Sequence, residues 1–148
     1  MHRTINKAGF DLIKDSEGLR LKAYPDPGTG GAPWTIGFGH TGPEVKPGLI
    51  ISMDRAKELL TADLAKFERA VANLAPVATD NQFSAMVSFA FNCGIVNLEE
   101  STLLRLHRAS KYGAAQAQFG KWVNAAGRKM NGLVKRRALE AALYGKPE

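Results

Sequence analysis

The stretch SMDRAKELLTADLAKFERAVANL, residues 52–74, decides how the rest of the chain is read. Within it Ala56, Leu59, Leu60, Leu64, Phe67, Val71 and Leu74 recur at spacings of three and four, the period of one apolar helical face. Ser52 stands where a capping side chain is expected, and Asp54 puts a negative charge in the first turn, at the positive end of the helix dipole. Pro76 stops the helix from the other side. The spacing predicts one amphipathic helix from about Ser52 to Leu74. At roughly 1.5 Å per residue it runs about 33 Å, long enough to bridge two lobes.

The sequence has a different texture on either side of this helix. Before it, Gly28 to Gly48 is rich in Gly and Pro. There Trp34-Thr35-Ile36-Gly37-Phe38-Gly39 has the β-branched and aromatic character of a short strand, with Leu21 to Tyr24 as a partner and Gly28 to Pro33 as the loop between them. After it the pattern is helical. Thr79 and Gln82 form a capping box opening a helix whose apolar residues Phe83, Met86, Val87, Phe89 and Phe91 lie on nearly every side, so it should be the buried centre of a helical lobe. Shorter helices follow near Ser101–Ser110, Ala114–Asn124 and Leu133–Tyr144, broken at Gly113 and over Gly127–Gly132. A first helix runs from about Thr4 to Ser16. No internal repeat or low-complexity segment is visible.

The composition bounds what such a chain can be. It has 148 residues, 45% of them hydrophobic and 23% charged, with a formal net charge of +6. That is enough apolar material for a single folded domain and too much for disorder. Cys93 is the only cysteine, so there is no disulfide framework, and one Cys with His2, His40 and His107 scattered along the chain lacks the spacing of a zinc site. No apolar run approaches the ~18 residues of a membrane span, and no secretory signal is visible at the start. The charge is uneven: residues 101–148 hold 10 basic and 2 acidic residues, a balance of +8, while residues 1–100 have 10 basic and 12 acidic residues, a balance of −2. The basic last third is either a solvated face or a surface drawn to a polyanion such as nucleic acid, an anionic membrane or an acidic cell wall.

Three side chains invite a catalytic reading. Phe10, Ile13 and Glu17 lie at i, i+3 and i+7, so a first helix reaching that far puts Glu17 on an apolar face. Partial burial favours the protonated form of a carboxyl group and suits a general acid; the plainer alternative is a surface Glu at a fraying helix end. Asp26 follows nine residues later in the loop, and Thr35 nine after that on the strand. Two carboxylates, one in an apolar and one in a polar setting, are the equipment of a glycosidase, with a threonine hydroxyl available to orient water. The spacing alone is a weak signal.

The segments around these residues add a resemblance. Ser16-Glu17-Gly18-Leu19-Arg20-Leu21-Lys22-Ala23-Tyr24, Asp26, and Trp34-Thr35-Ile36-Gly37-Phe38-Gly39-His40 resemble the phage-type lysozymes of glycoside hydrolase family 24. The likeness continues through Gln82-Phe83-Ser84-Ala85-Met86-Val87-Ser88-Phe89-Ala90-Phe91-Asn92-Cys93-Gly94, Ser101-Thr102-Leu103-Leu104, Trp122-Val123 and Gly132-Leu133-Val134-Lys135-Arg136-Arg137, in family order and over most of the chain.

The resemblance implies an α+β, mostly α, lysozyme-like fold in one domain over residues 1–148. It would have a small β lobe over about 15–55, the first helix packed on the helical lobe, a connecting helix over about 52–74, a helical lobe over about 76–148, and a cleft between the lobes. It implies an endolysin, a muramidase hydrolysing the β-1,4 bond between N-acetylmuramic acid and N-acetylglucosamine for host cell lysis. By the same resemblance Glu17 is the acid, and Asp26 with Thr35 handles the attacking water, with inversion as the outcome. The residues leave inversion and retention open, because the carboxylate separation is not readable from sequence. The segment Pro27-Gly28-Thr29-Gly30-Gly31-Ala32-Pro33-Trp34 is also longer than in the shorter phage enzymes, which bears on the geometry between Asp26 and Thr35.

The family positions further imply an ion pair between His40 and Asp63, and sugar subsites near Phe91 and Asn92, although Phe91 equally fits a core. Arg136 and Arg137 read as a solvated basic helix face or, alternatively, as a source of a guanidinium pairing with Glu17, which would favour its charged form. Gly37-Phe38-Gly39-His40-Thr41-Gly42 fits the dinucleotide fingerprint, but Pro43 to Gly48 after it does not start a helix, so nucleotide binding is rejected. Cys93, set among apolar helix residues, reads as packing. A lytic transglycosylase is the alternative enzyme; Asp26 and Thr35 argue against it, since that chemistry activates no water. A non-enzymatic basic binder is the third class, and no nucleic-acid motif supports it. Acid–base glycoside hydrolysis needs no cofactor or metal. The expected partner is bacterial peptidoglycan, with no stable membrane insertion and a monomeric chain. The expected location is the host cytoplasm until a holin gives access to the wall in the periplasm.

Overall fold

The structure is a computed structural model and describes residues 2–148. Seven α-helices and five short strands are present among the described residues: α1 (Lys7–Glu17), β1 (Arg20–Tyr24), β2 (Thr35–Gly37), β3 (His40–Thr41), α2 (Met53–Leu74), α3 (Asp80–Cys93), α4 (Ile95–Glu99), α5 (Thr102–Arg108), α6 (Tyr112–Gln118), β4 (Asn124–Ala125), β5 (Arg128–Lys129) and α7 (Asn131–Gly145), with a 3₁₀ turn at Phe119–Lys121. The chain divides into two compact units. One is Ile13–Ala65; the other combines residues up to Leu12 with Lys66–Glu148.

In the first of these, β1, β2 and β3 form an antiparallel sheet in sequence order. The register pairs Arg20 with Gly37 and Tyr24 with Thr35, and Thr35 and Ile36 with Thr41 and His40. The free edge of β1 is taken by residues 49–51: Ala23 N–H donates to Leu49 O and Ile51 N–H to Leu21 O, both at 2.9 Å. So short a sheet cannot stand alone. Its buried residues Ala23 and Ile36, with Val45 from the loop after β3, pack on Leu59 of α2, with Trp34, Leu49 and Ile51 at the margin. The stretch Trp34–Gly39 is therefore not one strand. It turns at Phe38–Gly39, with Gly37 and Gly39 at φ +68° and +81°, and returns as β3.

In the other unit α3 is buried at every position from Asn81 to Ala90. Its start is fixed by the capping box: Gln82 N–H donates to Thr79 Oγ1 and Thr79 N–H to Gln82 Oε1, both at 3.0 Å. Leu98, Leu103, Leu104, Ala115, Phe119, Leu143 and Tyr144 are buried in the same unit. The rings of Phe119 and Trp122 stand edge-on to Phe89 at 5.9 and 5.3 Å. The expected helix over Ala114–Asn124 ends early, passing through the 3₁₀ turn into the β4–β5 hairpin, and the gap over Gly127–Gly132 holds β5 and the start of α7. The first helix begins at Lys7 rather than Thr4. Residues 2–6 instead form a strap: Ile5 N–H and His2 Nε2 meet the two oxygens of buried Glu68 at 2.8 and 2.9 Å, and Asn6 N–H donates to Ser84 Oγ at 3.0 Å. The long helix begins as expected, with Arg55 N–H donating to Ser52 Oγ at 3.1 Å. No described helix is long and apolar enough to cross a membrane.

Candidate active site

Glu17 is the last residue of α1, partly buried, and the chain turns away at Gly18 with φ +76°. It faces the β2–β3 turn. A Cβ built at Gly39 would lie 3.0 Å from Glu17 Oε1. Gly39 is thus favoured by its positive φ, and a β-carbon there would ask the Glu17 carboxylate to give by a few tenths of an ångström.

Asp26 follows β1 after Pro25 and ties its own loop. Its N–H donates to Gly31 O at 2.9 Å, its carbonyl accepts from Gly30 N–H at 2.8 Å, and its Oδ2 accepts from Thr29 N–H at 3.1 Å. Thr29 Oγ1 donates to Ala32 O at 3.0 Å. The long Asp26–Thr35 segment therefore closes on itself between Asp26 and Ala32, and Tyr24 and Thr35 remain register partners across β1 and β2. Asp26 lies two residues past Tyr24, so the sheet register carries Asp26 and Thr35 to one end of the hairpin.

His40, on β3, sits between two carboxylates. Its Nδ1 is 2.8 Å from Asp63 Oδ2 on α2, and its Nε2 is 2.5 Å from Glu44 Oε1. Burial opposes the charged imidazole, but the hydrogen bonds and charges of Glu44 and Asp63 outweigh it and hold His40 above its ordinary value. Glu44 was not singled out in the sequence, although its place four residues after His40 offered the signal.

Glu17, Asp26, Thr35, His40 and Asp63 thus all belong to the Ile13–Ala65 unit, while Phe91, Asn92, Arg136 and Arg137 belong to the other. Phe91 is half-buried and meets Phe67 edge-on at 5.2 Å. Asn92 is exposed. Arg136 and Arg137 are 5% and 0% exposed, so the reading of a solvated face is overturned. They survive burial because Glu140, which the sequence reading passed over, lies three and four residues on along α7. Arg137 Nε is 2.7 Å from Glu140 Oε1, Arg136 Nε is 3.3 Å from Oε2, and Ser88 Oγ donates to the same Oε2 at 2.5 Å. Burial pushes the Glu140 carboxyl up, against the pull of both guanidiniums and the Ser88 hydroxyl; two cations this close keep it the partner of the pair. Cys93 also does more than pack. Its Sγ accepts from Arg137 Nη1 at 2.6 Å, and burial pushes its thiol up, away from a reactive thiolate. Among the described residues no group of three His, Cys, Asp or Glu side chains could hold a metal ion.

The same arrangement of helices and small sheets recurs in solved structures. The muramidase domain of SpmX from Asticaccaulis excentricus superposes with a TM-score of 0.88 at 35% identity, covering 98% of this chain and 99% of that one. A P22 lysozyme variant superposes at 0.86 with 36% identity, covering 96% and 98%. The fold is that of the lysozyme-like endolysins. The phage lysozyme family model matches residues 14–140, and the chain belongs to that family. Among curated relatives, the endolysin of Bacillus phage B103 is 44% identical over 141 residues, which is 95% of this chain and 53% of that protein. The endolysin of Salmonella phage P22 is 39% identical over 145 residues, 95% of this chain and 97% of that one. The chain spans about half the length of the Bacillus phage endolysins it matches.

Proposed function

We propose that the chain is a peptidoglycan-degrading endolysin, a muramidase hydrolysing the β-1,4 bond between N-acetylmuramic acid and N-acetylglucosamine. The observation that carries this reading is Glu17 at the end of α1, set against the glycine turn at Gly39, within a chain of the phage lysozyme family. Glu17 gives its proton to the glycosidic oxygen as the bond breaks. Asp26 takes a proton from a water that Thr35 orients through its hydroxyl, and that water attacks the anomeric carbon from the opposite face, inverting it. The Asx turn at Asp26 and the Tyr24–Thr35 register support this division, because they hold both groups on ordered backbone. His40, Asp63 and Glu44 act as a clasp that keeps the turn bearing Gly39 against α2. Phe91 and Asn92 line sugar subsites. The domain is one functional enzyme of residues 1–148, acting as a monomer without cofactor. It waits in the host cytoplasm until a holin admits it to the wall, and the basic last third draws it to anionic wall polymers.

Digestion of purified peptidoglycan, with the products read by mass spectrometry, tests the reading. Hydrated reducing ends on N-acetylmuramic acid are expected. Anhydro ends would assign a lytic transglycosylase and leave Asp26 without its role. Reducing ends on N-acetylglucosamine would assign a glucosaminidase instead. The wall attraction predicts a rate that falls as ionic strength rises through the range where the Debye length shrinks below about 10 Å; a rate indifferent to salt would remove it.

A further inference from the structure

The buried charge cluster of α7 reaches one exposed residue. Arg137 has no solvent exposure, and its guanidinium meets Glu140, Cys93 and Asn92, its Nε facing Glu140 Oε1 as an ion pair without hydrogen-bond geometry. Nε and Nη2 meet Glu140 at 2.7 and 3.0 Å, Nη1 donates to Cys93 Sγ at 2.6 Å, and Nη2 donates to Asn92 Oδ1 at 2.8 Å. The group lies over the ring of Phe89 at 5.2 Å. A guanidinium is a planar fork whose donors keep fixed relative directions. Glu140 is fixed in turn by Ser88 and Arg136. The fork is therefore set from behind, and its front edge grips the last two residues of α3, Asn92 and Cys93.

This grip decides which way the Asn92 carboxamide faces. Its oxygen must turn inward, because only the oxygen can accept from a guanidinium. The amide is planar, so Nδ2, which makes no hydrogen bond among the described residues, is left toward solvent with two donors. An exposed asparagine without such a partner would rotate and present either edge. We propose that Arg137 is a positioning residue: held by Glu140, it orients Asn92 as a fixed outward hydrogen-bond donor to an acceptor oxygen of the glycan. The inference rests on the muramidase reading for the identity of the acceptor, and on the hydrogen bonds alone for the orientation. Lysine could keep the charge beside Glu140, but a single ammonium cannot span Glu140, Cys93 and Asn92 together.

A double-mutant cycle with Arg137→Lys and Asn92→Ala, read as KM and kcat on soluble peptidoglycan glycan fragments, tests it. One hydrogen bond is worth roughly 3- to 10-fold in KM. Each single variant is expected to raise KM by that factor with kcat within about twofold, and the double variant to raise it no further. Multiplying effects, or a folded Arg137→Lys with wild-type KM, would overturn the proposal. Should Arg137→Lys not fold, the side-chain amide of Asn92 in the wild-type protein decides by nuclear magnetic resonance. Its NH₂ pair, assigned by loss in Asn92→Ala, is expected to be as rigid as the backbone; an amide tumbling freely on the nanosecond scale would refute the grip. If the wild-type protein cleaves no glycan at all, the muramidase reading fails while a rigid amide still stands.

Discussion

The two units carry their charged side chains in opposite ways. In Ile13–Ala65 the groups singled out lie at a helix end, in a loop and on a small sheet: Glu17 ends α1 facing the glycine turn, Asp26 is tied by its own loop, and His40 sits between two carboxylates that are 30% and 55% exposed. In the other unit one cluster of charges is inside. Glu140 and Arg137 have no exposure at all, and Arg136 has 5%. A surface pair adds little to stability and leaves its groups free to exchange protons. A buried cluster must be complete, because any remaining member is an uncompensated charge in a low dielectric. The difference teaches how the two units use charge: the groups proposed to act lie at loops and element ends, and the Arg136–Arg137–Glu140 cluster is sealed between α3 and α7.

The largest effect should come from breaking the sealed cluster. Glu140→Ala strands two guanidiniums and is expected to cost about 3–5 kcal/mol, read by urea unfolding. A loss near zero would show that the cluster is open to water. Gly39→Ala acts on the other side of the comparison. It forces a positive φ on alanine at about 1–2 kcal/mol and crowds Glu17, so activity on cell walls should fall far more than the melting temperature does. Equal losses in both would mean that the turn is only structural. Thr79→Ala removes the capping side chain of α3 and should cost about 1 kcal/mol, in stability and not in KM.

His40, partly buried, and His107, buried, sharpen the contrast through pH. His40 titrates above its ordinary value, so its stabilising contribution is full below about pH 6.5 and is lost as pH rises through the folded value. His107 is the reverse. Its Nε2–H donates to Val77 O at 2.9 Å, and its Nδ1 shares a hydrogen bond with the Tyr144 hydroxyl at 2.6 Å. Burial lowers it, with Arg108 adding to the effect. Its folded value lies below the unfolded one, so stability falls as pH drops from about 6.5 toward the folded value. Asp63→Asn should therefore remove stability mainly on the acid side of neutrality, and His107→Gln should flatten the acid loss. Unfolding free energies of each variant between pH 4 and 8 check both signs; the same slope in the two variants would contradict the assignment.

What the sequence made legible follows from the length of each signal. The helix over residues 53–74 repeats its apolar period through six turns, and α3 has a capping box and ten consecutive buried positions. The β4–β5 hairpin was invisible because its two-residue turn places Ala126 at φ +51°, where Asn or Gly would be the usual sign. The return strand β3 was hidden by the aromatic and β-branched residues around it, although Gly37 and Gly39 marked the turn. α4 is only five residues long, too short for a period. At the candidate site, Glu17, Asp26 and Thr35 were singled out by family likeness rather than by spacing. Glu140 was written plainly at i+3 and i+4 from two arginines, but a basic stretch invites a solvent-facing reading, and only the burial of α7 against α3 reverses it.

The central claim is that Glu17 donates the proton that breaks the glycosidic bond. The most direct test is the rate of reducing-end release from purified peptidoglycan by wild type and Glu17→Gln, with circular dichroism confirming an unchanged fold. Glutamine keeps the shape and removes the acid, so the account predicts a loss of about 10²- to 10⁴-fold. A folded Glu17→Gln that releases reducing ends within a few-fold of wild type would contradict it.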